Sequence, residues 1–223
     1  MTTAGPPPLG DAGGAAAYAD SFAVESPALA TARERALTSA GAFGTPPPVQ
    51  PAVGATLAVL ASACNARSVV SVGSGGGVAG LWLLRGMRPD GVLTALDGDP
   101  AELRAARRAF TEARVPSGRT RLIFGTAAEV LPRLSPGAYD LVVCDGPPLE
   151  YSAQLAGLLG LIRAGGSLVC HGLLVDGRIA DRSVRDAQTL AWRDLVKKVR
   201  EDETLTSAVL PIGAGLLVAT KRA

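Results

Sequence analysis

The spacing of apolar and polar positions changes period several times along the chain, and each change marks an element. From Arg67 onward, short aliphatic and β-branched runs alternate with segments whose apolar residues recur every three or four positions. SVVSVG (68–73), VLTALD (92–97), TRLIFG (120–125), YDLVVCD (139–145) and SLVCH (167–171) are apolar almost throughout, as strands covered on both faces are. Between them GLWLLRGM (80–87), PAELRAARRAFTEA (100–113), AAEVLPRL (127–134, interrupted at Pro132) and a segment from Tyr151 to Ile162 read as helices. Asp99 is placed to cap the helix that Pro100 opens. Residues 172–186 read as a loop with partial order, and a charged helix covers about 187–202. TSAVLPIGAGLLVATK then forms two strands around a Gly/Pro turn. Such alternation implies a parallel α/β sheet with helices on both faces, and the closing hairpin adds antiparallel pairing at one edge.

Ahead of this core, residues 1–16 are rich in Gly, Pro and Ala with little to bury, and are expected to be a flexible tail. That leaves 17–223 as a single domain with an N-terminal helical cap. A first helix is expected after Ser26-Pro27, capped by Ser26 and ending near Gly41. Pro46-Pro47-Pro48 forces an extended stretch, and Pro51 opens a second helix carrying Val53, Leu57 and Leu60 on one side.

Composition narrows the classes. Acidic and basic residues are interspersed and the formal net charge is +2, which argues against a nucleic-acid surface. The densest basic stretch, Arg104 to Arg121, falls at helical spacing and reads as a solvated face. No apolar stretch reaches the roughly 20 residues of a membrane span. Cys64, Cys144 and Cys170 are odd in number, widely spaced and set in or beside apolar runs, so buried reduced thiols and a cytoplasmic location are expected. No signal peptide is visible.

The segment Val72-Gly73-Ser74-Gly75-Gly76-Gly77-Val78-Ala79-Gly80 follows a buried strand and opens a helix. Glycines there permit a sharp turn and let a cofactor lie against bare main chain. The next strand ends in Asp97, where a carboxylate can accept from both hydroxyls of a ribose. Two registers compete. From Gly73 the pattern is GxGxG, the methyltransferase form; from Gly75 it formally fits the dinucleotide GxGxxG. The strand ends at Val72, so the turn begins at Gly73, and in that register the sixth position is Val78 rather than Gly. An NAD(P)-dependent oxidoreductase is therefore the more distant alternative.

With AYADS near the start, PPPVQPAVGATLAVL, SVVSVGSGGGVAGLWLLRGM, GVLTALDGDPAELRAARRAF, TRLIFGTAAEVLPRL, YDLVVCD, LIRAGGSLV and VLPIGAGLLVATK, the chain resembles the catechol/caffeoyl-CoA type of small O-methyltransferases along residues 18–221. The resemblance implies a Rossmann-like class I methyltransferase with a seven-stranded, mostly parallel sheet of order 3-2-1-4-5-7-6, S-adenosylmethionine as methyl donor, a small hydroxylated, phenolic acceptor, and a homodimer with the first helices near its interface. It implies cofactor contacts at Val49, Gly73, Ser74, Gly75, Gly77 and Ala79, ribose contacts at Asp97 and Gly98, adenine contacts at Ala127 and Ala128, and a border between donor and acceptor at Asp145 and Pro147.

Three departures stand out. Ser71 occupies the position where the family has a Glu that helps hold the cofactor, so weaker donor binding than in relatives is expected. The family's divalent ion is held by an Asp after the fourth strand and an Asp-Asn pair after the fifth. Here those places are Asp145 and His171-Gly172, a poor set for Mg²⁺, which prefers oxygen ligands, so no divalent metal is expected. The Lys that follows the first Asp in metal-dependent members is missing from Asp145-Gly146-Pro147-Pro148. His171, the one histidine, stands at the carboxyl end of the fifth strand, and histidine is the side-chain type best suited to proton transfer near neutral pH. It is read either as a general base partnered by Asp145 or as a structural replacement for the lost ligand. The same losses leave open a SAM-binding protein with a regulatory role.

Overall fold

A computed structural model describes residues 12–39 and 47–222 of the chain. The expected helix end near Gly41 and the first proline of the triplet, Pro46, lie outside the described residues, as do residues 1–11 of the expected tail.

Residues 12–16, expected as part of a flexible tail, are instead helical, since helix α1 spans Ala12–Phe22. Its run of alanines has high helix propensity, and it is tied to a later part of the chain: the Asp20 carboxylate accepts from the Ala52 amide at 2.9 Å. Helix α2 spans Pro27–Ser39, with the Ser26 hydroxyl accepting from the Leu29 amide at 3.3 Å, the cap its sequence predicts. Helix α3 spans Pro51–Ala63 and buries Val53, Leu57 and Ala61. Gln50 gives it no side-chain cap, so Asp20 supplies one from a distance.

The core then alternates: β1 (Ser68–Val72), α4 (Val78–Gly86), β2 (Val92–Asp97), α5 (Pro100–Glu112), β3 (Thr120–Phe124), α6 (Ala127–Val130) and β4 (Tyr139–Cys144). It continues with α7 (Pro148–Tyr151), α8 (Leu155–Leu161), β5 (Ile162–His171), α9 (Ala187–Glu201), β6 (Leu205–Leu210) and β7 (Leu216–Lys221). The strands form one sheet of order β3-β2-β1-β4-β5-β7-β6, parallel except where β7 pairs with β5 and β6. The helix expected over 151–162 is broken: α7 starts early at Pro148, a 3-10 turn covers 152–154, and Leu155 restarts the helix. Strand β5 is longer than expected, since Ile162 pairs with Tyr139 before the register shifts to Leu141 opposite Ser167.

Strand residues alternate between two apolar layers. Val69, Leu93, Leu141, Val143 and Val169 pack with α3, α4 and α5; Val70, Val72, Val142, Cys144, Leu168 and Cys170 pack with α8 and α9. Both faces are covered, which explains why the strands read as near-continuous apolar runs. Cys144 and Cys170 are buried and free, as expected, and Cys64 is free but partly exposed. No helix among the described residues is long and apolar enough to cross a membrane.

Register aligns the carboxyl ends of the central strands. Val72 pairs with Leu96 and with Cys144, and Cys144 with Cys170. Hence Gly73, Asp97, Asp145 and His171, each just beyond those pairs, emerge at the carboxyl end of the sheet, where the chain leaving β1 runs towards β2 and the chain leaving β4 runs the opposite way towards β5. This is where ligands collect in open parallel sheets.

Candidate functional site

The turn after β1 is the centre of the site. Gly73, Gly75, Gly76 and Gly77 all take positive φ (+84°, +50°, +61°, +89°), a region that side chains make costly. The chain therefore leaves the strand path at Gly73, the register expected from the sequence. The bare main chain has a reason apart from any ligand. A Cβ on Gly73 would lie 2.4 Å from the Asp145 carbonyl oxygen, one on Gly75 would lie 2.5 Å from Asp145 Oδ2, and one on Gly77 would lie 2.9 Å from the Ala106 Cα of α5. The glycines let the end of β4 and the flank of α5 close onto the turn.

Polar side chains pin the turn. The Asp97 carboxylate accepts from the Ser74 amide at 2.7 Å and the Ser74 hydroxyl at 2.8 Å through Oδ2, and from the Asp99 amide at 2.8 Å through Oδ1. The ribose-binding candidate is thus also a structural part of the glycine turn. Ser71 is buried, and its hydroxyl donates to the Gly73 carbonyl at 2.9 Å, so it serves the turn. At the other end, Glu102 of α5 accepts from the Gly76 amide at 2.8 Å.

Asp145 and His171 meet in the interior. His171 Nδ1 lies 2.8 Å from Asp145 Oδ1, with the imidazole fully enclosed and the carboxylate nearly so. The Asp145 amide also donates to the Val72 carbonyl at 2.8 Å, fixing β4's end to β1. His171 Nε2 is buried with no hydrogen-bond partner among the described residues. With Nδ1–H donating to the carboxylate, Nε2 carries the lone pair and is an acceptor without a donor, an arrangement assigned from the hydrogen bond.

The remaining candidates are distributed around this centre. Ala127 is buried and Ala128 exposed at the start of α6, held by a capping box between Thr126 and Glu129. Gly98 is exposed and Pro147 half-buried. Val49 and Ala79 are wholly buried in the apolar layer with α3 and α4, so they contribute main chain and wall rather than an exposed side chain. Sequence reading missed three residues. Glu102 and Glu150 are carboxylates whose pKa burial pushes up. Asp97 adds to the effect on Glu150, while for Glu102 the Gly76 amide opposes it and Asp97, Asp99 and Asp145 reinforce it. Tyr151 is fully buried, stacks edge-on against Trp192 and leaves its hydroxyl without a partner among the described residues; burial raises its pKa well above the usual phenol. An acid in a helix's first turn was the one sequence signal available for Glu102; its reach to Gly76 was not.

The residues at the family's metal position do not fit a hard divalent ion. Asp145 commits Oδ1 to His171 and packs Oδ2 against Gly75, and the third donor's place is Gly172. Among the described residues no group of three or more His, Cys, Asp or Glu is gathered to hold an ion.

The chain as a whole is similar to known O-methyltransferases. A sequence profile described as O-methyltransferase matches residues 20–222. A relative from Mycobacterium tuberculosis, named as an O-methyltransferase, is 46% identical over 205 residues, which cover 92% of this chain and 89% of that one. A crystal structure from Corynebacterium glutamicum is similar at a TM-score of 0.81 and 32% identity, covering 92% of this chain and 94% of the other. The O-methyltransferase of tomaymycin synthesis from Streptomyces achromogenes, solved in complex with SAM, shares the fold at a TM-score of 0.82 and 24% identity, covering 94% and 96%.

Proposed function

The chain belongs to the O-methyltransferase family, and from that membership we propose that it moves a methyl group from S-adenosylmethionine to a hydroxyl of a small phenolic acceptor without a divalent ion. The observation that carries this reading is the buried Asp145–His171 pair beside the glycine turn, with Nε2 left as an unpaired acceptor. Membership and the hairpin-closed strand order set aside the dinucleotide-dependent alternative.

The bound donor supplies a methyl group already activated on a sulfonium, so the protein's task is placement and removal of a proton. Gly73, Ser74, Gly75 and Gly77 form the turn that receives the donor, with Ser71 fixing that turn from β1. Asp97 and Gly98 sit at the ribose, Ala127 and Ala128 at the adenine, Val49 and Ala79 behind the methionine portion, and Pro147 at the border with the acceptor. Asp145 fixes the tautomer of His171, and His171 Nε2 takes the acceptor's hydroxyl proton as the oxygen attacks. The ring is enclosed in the structure, with Leu173 and Leu216 buried beside it in sequence and register, so the segment after β5 must shift for an acceptor to reach it.

Titration calorimetry with S-adenosylhomocysteine tests the donor half. The wild type is expected to bind, and Asp97→Asn to bind about tenfold more weakly for loss of charge-assisted bonds; equal affinities would remove Asp97 from the site. Methyl transfer to catechols and related phenols should proceed unchanged in a strong chelator, and activity that vanishes on chelation and returns with Mg²⁺ would overturn the metal-free reading.

A homodimer is part of the same proposal. Tyr18 (74% exposed), Phe22 (78%), Val24 (71%) and Val59 (65%) leave apolar surface on and beside α1 and α3, helices that pack together. Covering it with a second copy removes that surface from water. In sedimentation velocity the wild type should run as a dimer and Phe22→Glu with Val59→Glu as a monomer; a monomeric wild type refutes it. We assign the protein to the cytoplasm, in keeping with its free thiols.

A further inference from the structure

We propose that Glu102 is a positioning residue for the methyl donor: its carboxylate holds the Gly76 amide and so fixes the far half of the glycine turn in its receiving shape. This rests on donor binding at that turn. The near half, residues 71–74, is secured by the Ser71 hydroxyl on the Gly73 carbonyl and by Asp97 on Ser74. Beyond it come three consecutive glycines at positive φ, Gly75 to Gly77. Glycine makes that path accessible, and for the same reason does nothing to hold it. Two hydrogen bonds involve amides there: Gly77 to the Ser74 carbonyl at 2.7 Å, which is internal to the turn, and Gly76 to Glu102 Oε2 at 2.8 Å, which anchors it to another element.

Glu102 is well placed for that anchor. It stands in the first turn of α5, three residues after the capping Asp99, where free helix amides favour a carboxylate. From the other side α2 closes in, since a Cβ on Gly76 would lie 3.5 Å from the Ala36 Cβ. The charged groups around the carboxylate come from four elements. Asp97 of β2, Asp99 ahead of α5 and Asp145 after β4 oppose its charge. Arg104 and Arg108 of α5 and Arg35 of α2 line the adjoining cavity of about 330 Å³, with Arg35 and Arg108 already paired to Glu112. Burial and the three aspartates make ionisation of Glu102 harder than for an ordinary glutamate, while the Gly76 amide opposes them. The proton therefore returns at a higher pH than it would on an ordinary glutamate, and a protonated carboxyl is a weaker acceptor. The hold on Gly76 therefore weakens as pH falls, and does so sooner than a fully solvated glutamate's would.

The test is calorimetric titration of the whole protein with S-adenosylhomocysteine for wild type, Glu102→Ala and Glu102→Gln between about pH 5 and 8. Glu102→Ala is expected to weaken binding about tenfold at neutral pH, the typical contribution of one charge-assisted bond. Glu102→Gln keeps an oxygen for the Gly76 amide and should restore most of that affinity. Wild-type affinity should decline towards acid more steeply than that of Glu102→Gln. Alanine binding as well as wild type, or glutamine failing as badly as alanine, overturns the proposal while leaving donor binding intact. A wild type that takes up no S-adenosylhomocysteine overturns the donor reading and this inference with it.

Discussion

His171→Ala is expected to lower turnover about a hundredfold or more while donor affinity stays within about twofold, because a positioned general base contributes on that scale and does not touch the donor. The difficulty is structural. His171 is fully buried and paired with Asp145, so its loss leaves a buried carboxylate without its partner, a change that costs about 3–5 kcal/mol in comparable buried pairs. His171→Gln separates the two effects. A glutamine amide can still donate to Asp145 Oδ1 but cannot accept a proton at working pH. The expected result is a near-native melting temperature, native affinity for S-adenosylhomocysteine and turnover as poor as that of the alanine variant. Full turnover in His171→Gln would reduce the histidine to a replacement for a lost ligand, the other reading its sequence position allows.

The second large effect concerns the fold that builds the site. In Gly73→Ala the new methyl group would lie 2.4 Å from the Asp145 carbonyl oxygen and 2.7 Å from its carbon, at a φ of +84°. The obstacle is backbone, so no side-chain rotation relieves it. A left-handed alanine costs about 1–2 kcal/mol and overpacking about 1–3 more. For a domain of this size the sum should lower the melting temperature by roughly 5–15 °C. Because the displaced atoms belong to Asp145, His171 loses its alignment too, and turnover should fall in whatever protein remains folded. Gly98→Ala is the control: its φ is not positive and the nearest atom, Thr126 Cγ2, would be 3.8 Å away, so its melting temperature should stay within about 2 °C. Equal stability of the two variants would mean that β4's end yields to the turn, and the turn's glycines would need another explanation.

Legibility differs sharply between parts of the molecule. The Ser26 and Asp99 caps, the prolines at 27, 51 and 100, and the five apolar strands are readable because each depends on neighbours within a few residues. Helix α1 escapes such reading because its Gly/Ala-rich start resembles a tail, and only its contact with α3 through Asp20 and Ala52 reveals what holds it. The single helix expected over 151–162 is broken because Pro148 starts a turn early and Tyr151 must stay in the core against Trp192. Ser71 reads as a lost cofactor ligand, yet its position two residues before the Gly73 carbonyl makes it a clasp on the turn.

The alternation of strands and helices from Arg67 onward and the candidacy of Gly73, Asp97, Asp145 and His171 were decided by the sequence alone, the elements through periodicity and the family and its residues through resemblance. Which of those residues touch was decided by the sheet. Parallel register brings residues 73, 97, 145 and 171 to the carboxyl end of the sheet from four strands separated by dozens of positions. That convergence turns one Asp145 oxygen onto His171 and sets the other against Gly75, and it draws Glu102 onto Gly76. Contacts of this kind depend on the packing of distant segments to within a fraction of an ångström, which no local pattern of residues encodes.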